Sequence, residues 1–134
     1  MVLVDGAGVP LGVYLSAANL AECQLAEATL AEVAKPQRQK LRRIIADRGY
    51  DSRVLHDRMA KRGIELLAPH LSNRKNRFQD GRKLRRYRRR WIIERTNAWL
   101  FNFRRLVVRY ERHALNYLGF VQLGCILILL RQAL

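Results

Sequence analysis

Apolar and polar positions alternate at the start of the chain and then change period. Residues 1–4 are apolar, and Leu11, Val13 and Leu15 alternate with Gly12, Tyr14 and Ser16. Alternation with period two predicts strands. Asp5-Gly6-Ala7-Gly8 between the two runs predicts an antiparallel hairpin, with Pro10 at the start of the second strand, where a missing N–H is tolerated. Cys23, Ala26, Leu30 and Val33 then recur at helical spacing. Asn19 with Glu22 three residues later has the form of a capping box, and Pro36 predicts the end of that helix. Residues 37–40 read as a polar linker.

Residues 41–46 carry a short core strand at Ile44-Ile45, which Asp47-Arg48-Gly49-Tyr50 leaves as a turn. Ser52 predicts the cap of a helix over 53–62, with Leu55 and Met59 on one face and Gly63 as its stop. Residues 64–68 form another strand, closed by Pro69, and 71–81 a basic loop. Ile92, Thr96, Trp99, Phe103, Leu106 and Tyr110, in steps of four and three, predict one long helix over 82–111. A last helix, 115–130, is apolar nearly all round, which predicts deep burial. The later two strands, joined through a helix, should run parallel by a right-handed crossover. The expected fold is α/β: one mixed sheet covered by helices.

Composition sharpens this outline. With 134 residues, about half of them apolar, the chain suits one domain with a modest core and excludes wholesale disorder. The formal charge of +15, from 26 Lys and Arg against 11 Asp and Glu, points to a polyanionic partner, nucleic acid first. The two cysteines and three histidines are scattered, without the spacing of a disulfide framework or a zinc site. No signal peptide is visible. The apolar run 123–130 is shorter than the ~20 residues of a membrane span, so a cytoplasmic, nucleoid-associated protein is expected and no membrane.

Three features are candidates for chemistry. Asp47 follows a buried strand, where α/β sheets place reactive groups; the alternative is a carboxylate that caps the turn before Gly49. Glu94 sits among the apolar residues Trp91, Ile92 and Ile93, where an unpaired carboxylate costs several kcal/mol. A cation should therefore partner it; Tyr87, Arg90 and Glu94 share a helix face, and the alternative is a plain Arg90–Glu94 ion pair. Between Arg74 and Arg90 stand ten Lys or Arg and one acid, Asp80. So dense a run resists helix formation unless phosphates neutralise it. Phe78 and Tyr87 are available either to stack on a base or to fill the core. Asp5 reads as a turn residue, Asp51 as an acid at a helix start, the histidines as surface or packing residues and the cysteines as small core residues.

Taken together, two segments resemble a known family. Ile45-Ala46-Asp47-Arg48-Gly49-Tyr50-Asp51-Ser52 resembles the second-aspartate motif of bacterial insertion-sequence transposases with a DDE, RNase H-like catalytic domain. Tyr87, Arg90 and Glu94 match that family's Tyr, Arg, Glu signature. Glu94-Arg95-Thr96-Asn97-Ala98-Trp99-Leu100, Phe103-Arg104-Arg105-Leu106 and Pro69-His70-Leu71-Ser72-Asn73-Arg74-Lys75 are similar too, so the likeness covers nearly the whole chain.

The resemblance implies DNA cleavage and strand transfer with Mg²⁺ or Mn²⁺. It implies that Asp47 and Glu94 are catalytic metal ligands and that Tyr87 and Arg90 support them. Arg74, Lys75, Arg77, Arg82, Lys83, Arg85, Arg86, Arg88 and Arg89 would contact DNA. The family's first catalytic Asp lies on a strand upstream of the opening hairpin, and Asp5 does not match it; Phe101 stands where the family has a polar residue.

The chain is thus expected to be the C-terminal part of such a domain, lacking its first strand. Its parts would be a hairpin (1–17), a strand–helix–strand unit (41–69), a long basic helix (82–111) and an apolar C-terminal helix (115–132). The expected partners are transposon-end and target DNA, the upstream transposase segment or full-length transposase, and a second copy of itself. Two other readings stay open: a non-catalytic DNA-binding regulator or remnant, and an unrelated basic RNA-binding protein. The chain by itself is expected to be inactive.

Overall fold

The computed structural model describes residues 1–79 and 81–133, and all side chains among them except those of Leu84 and Ala133; Asp80 lies outside the described residues. Strands β1 (Val2–Val4) and β2 (Pro10–Val13) form the antiparallel hairpin. Asp5 makes the turn: its Oδ1 accepts the N–H groups of Ala7 at 2.8 Å and Val9 at 2.9 Å. Gly8 follows at φ 91°, a conformation that side chains with a Cβ rarely adopt.

Helix α1 (Glu22–Ala31) starts two residues later than Asn19 capping predicts, and its N-cap, Ala21, has no side chain that could accept a capping hydrogen bond. Pro36 does not merely end a helix. It sits in the first turn of a short second one, α2 (Lys35–Lys40), where its missing N–H is harmless, so the expected linker is helical. Strand β3 (Arg43–Ile45) runs parallel to β4 (Glu65–Leu67) through α3 (Arg53–Lys61). Ser52 caps α3 through Leu55 N–H at 3.4 Å, and Gly63 leaves it at φ 71°.

Among the described residues the expected single sheet is two separate pairs, β1 with β2 and β3 with β4. The expected long helix is also broken. Residues Lys83–Arg90 form a 3-10 segment, followed by α4 (Trp91–Phe101), α5 (Arg104–Val107) and an irregular stretch. Crowded guanidinium groups repel along the first segment, which raises the cost of regular α-helix. Phe103 is extended (φ −86°, ψ 108°), which bends the second. The apolar stripe survives the bends as far as Leu106, but Tyr110 is 64% exposed.

Two cores flank the hairpin. Leu30, Val33, Leu55, Met59, Ile64 and Leu66 form one, joined by Leu3 and Leu11. Leu100, Leu106, Cys125 and Ile128 form the other, joined by Val2 and Val13. Val2 and Leu3, adjacent in β1, thus serve opposite cores, as the pleat requires; Leu11 departs from Val13 because the register skips it between Gly12 and Pro10. Helix α1 lies tight on β2 at Gly12, where a Cβ would meet Val33 Cγ2 at 3.0 Å and Thr29 O at 3.1 Å. The hairpin turn is latched to α4: Thr96 Oγ1 donates to Gly8 O at 2.9 Å and Arg95 Nη2 to Ala7 O at 2.7 Å.

Helix α6 (Ala114–Ala133) is not deeply covered. Cys125 and Ile128 are buried, but Leu115, Leu123, Ile126 and Leu130 are about half exposed or more. The helix extends well beyond the apolar run 123–130, and by length and composition alone it is long enough to cross a membrane.

Candidate active site

Asp47 lies two residues beyond the end of β3 and is half-buried. Its Oδ1 accepts Gly49 N–H at 2.8 Å, so it does cap the turn as the simpler alternative holds. One carboxylate oxygen is thereby fixed, and Oδ2 has no hydrogen-bond partner among the described residues. Glu94, in the first turn of α4, is more exposed (57%). Its Oε1 takes both Nε and Nη2 of Arg90, at 2.9 and 2.7 Å, so the expected ion pair is also present. Arg90 Nη1 in turn donates to the Tyr87 hydroxyl. Those bonds, Glu94's first and then Tyr87's, push the Arg90 guanidinium further toward its charged form.

Asp47 and Glu94 nevertheless border one space. A cavity of about 320 Å³ is lined by both, together with Tyr50, Arg90, Asn97 and Glu22. Glu22 was read only as a capping residue. It approaches the turn so closely that a Cβ on Gly49 would meet its Oε2 at 2.7 Å. The Tyr50 hydroxyl is held strongly protonated, by burial first and then by the charges of Glu22 and Asp47. Carboxylate oxygens suit a hard divalent cation. The donor set of Asp47 and Glu94 fits one chemically but is incomplete: among the described residues no three acids, histidines or cysteines converge as a metal cage.

The basic residues divide into two groups. Lys75, Arg77, Arg85, Arg86, Arg88 and Arg89 are exposed and have no acidic partner among the described residues, and Arg82 is exposed too. Arg85, Arg86 and Arg89 border a second cavity, of about 520 Å³, between β1 and β3. Lys83 instead bonds Glu65 at 2.8 Å, beside Arg43.

Arg74 turns inward. Its Nε reaches Asp51 Oδ2 at 2.8 Å, its Nη2 the Asp51 carbonyl at 2.9 Å, and its guanidinium lies 4.8 Å from the Phe78 ring centre. Phe78 also meets His56 and His70 edge-on, so it packs and is not free to stack.

Sequence reasoning missed the role of Asp51. Its side chain is fully buried and accepts Leu71 N–H at 2.8 Å as well as His70 Nδ1 at 2.9 Å. His70 Nε2 faces the N–H groups of Phe78 and Gln79, both at 3.2 Å. Nε2 therefore accepts, and the ring proton sits on Nδ1. Burial alone would raise the Asp51 carboxyl; the bonds from Leu71, His70 and Arg74 outweigh it and hold the carboxyl below its usual range. This network fixes the loop that leads into the basic segment. No spacing rule signals it, because its partners lie about twenty residues apart.

A β3 strand end and a helix facing it with one acid each, beside a dense run of arginines, define a class. The chain belongs to the transposase DDE domain family, which matches residues 1–130. A curated relative is 39% identical over 135 residues: a Burkholderia cepacia protein assigned as the transposase for insertion sequence element IS402. That match takes in 95% of this chain and 60% of the relative, so the chain spans less than two thirds of the relative's length. No solved structure matches the chain.

Proposed function

We propose that the chain supplies the second aspartate and the glutamate of an RNase H-like DNA transposase, Asp47 and Glu94, and that DNA is its substrate. The observation that carries this reading is that both carboxylates line one cavity, in a chain of the DDE family. The missing first acid would come from a strand outside these 134 residues.

Each residue then has a task. Gly49 N–H fixes Asp47 Oδ1, so the whole carboxylate is oriented before any ligand arrives. Tyr87 holds Arg90, and Arg90 holds Glu94 by one oxygen, leaving Oε2 open. Asp47 and Glu94 would be the protein ligands of Mg²⁺ or Mn²⁺. When bound, the cation supplies Lewis-acid activation of the attacking oxygen and charge stabilisation at the leaving oxygen. Lys75, Arg77, Arg82, Arg85, Arg86, Arg88 and Arg89 track phosphates, which sets affinity and salt dependence more than sequence choice. Arg74 serves the same surface indirectly, by anchoring its loop on Asp51.

The test is nicking of a supercoiled plasmid that carries insertion-sequence ends. The chain alone should not nick. Supplied with the remaining transposase segment it should nick only with Mg²⁺ or Mn²⁺, and Asp47→Asn or Glu94→Gln should abolish the activity. Nicking that survives both substitutions would refute the assignment. DNA binding that persists with no nicking under any supply of the missing segment would favour a non-catalytic regulator or remnant instead.

A further inference from the structure

Gly49 lies in the 3-10 turn Arg48–Tyr50 and does not have a positive φ, so its backbone does not call for glycine. What the position lacks is room. A Cβ there would meet Glu22 Oε2 at 2.7 Å and Asp47 Oδ1 at 3.1 Å. Two carboxylate oxygens, one from the first turn of α1 and one from the turn after β3, thus converge on the face of one glycine.

No Lys, Arg or His bonds either oxygen among the described residues. Asp47 Oδ1 takes the neutral Gly49 N–H at 2.8 Å. The Tyr50 hydroxyl, which feels both charges, donates to Met1 Sδ at 3.3 Å, and the Met1 ammonium donates to Tyr14 O. Glu27, the other acid of α1, is by contrast held by Arg58 and Arg62 at 3.1 and 3.0 Å. The helix dipole favours an acid in the first turn of α1. That accounts for the residue type and not for its approach to Asp47, since an exposed side chain there is free to swing into water. Like charges this close repel, and a cation beside them removes the cost.

Glu22 also lines the 320 Å³ cavity that Asp47 and Glu94 border. The three acids do not close into a cage, so Glu22 is not a third direct ligand. A hard divalent ion keeps several of its waters, and those waters are donors within reach of a carboxylate outside the ligand set.

Resting on the transposase reading above, we propose that Glu22 is a positioning residue of the cation site. Its carboxylate accepts hydrogen bonds from water on the cation that Asp47 and Glu94 hold, and Gly49 is glycine in order to admit it. Partners of this kind orient what the ligands bind and strengthen the binding.

The test is Mn²⁺ binding without DNA by the chain assembled with the remaining transposase segment, read from the EPR signal of the free ion. Glu22→Gln keeps the size and removes the charge, and it should weaken Mn²⁺ binding about tenfold. Glu32→Gln makes the same charge change at the other end of α1, about 15 Å away, and should leave the affinity unchanged. Water proton relaxation at saturating Mn²⁺ counts the waters left on the ion. Glu22→Gln should not alter that count, because no ligand is lost; a gain of one water would make Glu22 a ligand and overturn its role through water.

Gly49→Ala approaches the same contact from the other side. Its Cβ displaces the far end of a flexible side chain, so the urea midpoint should barely move while Glu22 is pushed off the turn. Mn²⁺ binding should weaken at least as much as in Glu22→Gln, and adding Glu22→Gln should cost nothing further. Losses that multiply, or a Glu22→Gln variant that binds Mn²⁺ as wild type does, would overturn the proposal. Asp47→Asn separates the two readings. It should lose Mn²⁺ binding altogether; if it binds normally the transposase site itself fails, and if it loses binding while Glu22→Gln does not, only the role of Glu22 fails.

Discussion

Arg90 and Glu94 meet at a single carboxylate oxygen: Nε and Nη2 of the arginine both reach Oε1, at 2.9 and 2.7 Å, and Oε2 has no partner among the described residues. Both side chains are more than a third exposed, so the pair contributes little to stability, on the order of 0–1 kcal/mol. Its weight falls on orientation. Arg90→Lys keeps the charge but not the planar fork. It should move the urea midpoint barely at all, while plasmid nicking by the assembled transposase drops roughly 100-fold, the scale of a misplaced reacting group. Equal nicking by wild type and Arg90→Lys would remove Arg90 from the site.

Asp51→Ala should be far more disruptive than any change at Asp47. It strips a fully buried carboxylate from Arg74, His70 and Leu71 N–H at once. Removing one partner of a buried ion pair costs about 3–5 kcal/mol. Urea denaturation would measure the loss, and faster amide exchange at Leu71, Phe78 and Gln79 would locate it. Stability within error of wild type would mean the loop is held by something else.

Acid should destabilise the protein in two stages. Burial, the dominant influence on His56, lowers its pKa from the ordinary 6.5, so folding favours the neutral ring. That contribution is complete above 6.5 and is lost as pH falls toward the lower folded value. Asp51, held below the ordinary 3.8, contributes stability above that value and loses it as pH falls through the folded pKa. Glu65 and Glu111, also held below their ordinary 4.5, act in the same direction. Urea midpoints from about pH 7 to about pH 3 would show both limbs. His56→Gln should flatten the upper limb only; a wild-type upper limb in that variant would assign it to another group.

The hairpin latch is a test of how α4 is aimed. Thr96 is 0% exposed, and its hydroxyl is the donor to Gly8 O. Thr96→Val keeps the shape and leaves that carbonyl unsatisfied, at a cost of about 1–3 kcal/mol. Gly8→Ala adds strain at φ 91° and a Cβ that would lie 2.9 Å from Arg95 Nη2. Both should loosen the turn and raise exchange at Ala7 and Val9. A double variant whose loss equals the sum of the singles would show that the two sites do not cooperate.

Helix α6 should make the isolated chain self-associate. Leu123 and Leu130 are 51% and 53% exposed, on a helix whose Ile128 is 3% exposed. Leu123→Lys with Leu130→Lys should lower the apparent mass in sedimentation at high concentration, with stability changed by less than about 1 kcal/mol. Ile128→Ala should instead cost about 2–5 kcal/mol. Association that ignores the double lysine change would have to come from another surface.

The sequence by itself determined the local elements. Period-two alternation around Asp5-Gly6, the Ser52 cap and the Gly63 stop each set a hairpin or helix through neighbours a few residues away, and such short-range rules are readable in one dimension. So were the cap formed by Asp47 and the Arg90–Glu94 pair, which need only steps of two and four.

Tertiary structure decided the rest, because it depends on what meets across long separations. The buried partners of Asp51 come from about twenty residues downstream, and the latch joins Thr96 to Gly8 across 88 positions. The 82–111 pattern broke at crowded charge in its first segment and at the extended Phe103 further on, neither of which the apolar stripe registers. The bare face of α6 and the gap between β1 and β3 share one cause. Periodicity reports that a surface is apolar or a strand is able to pair, and only the assembled chain supplies, or leaves out, the neighbour that covers it.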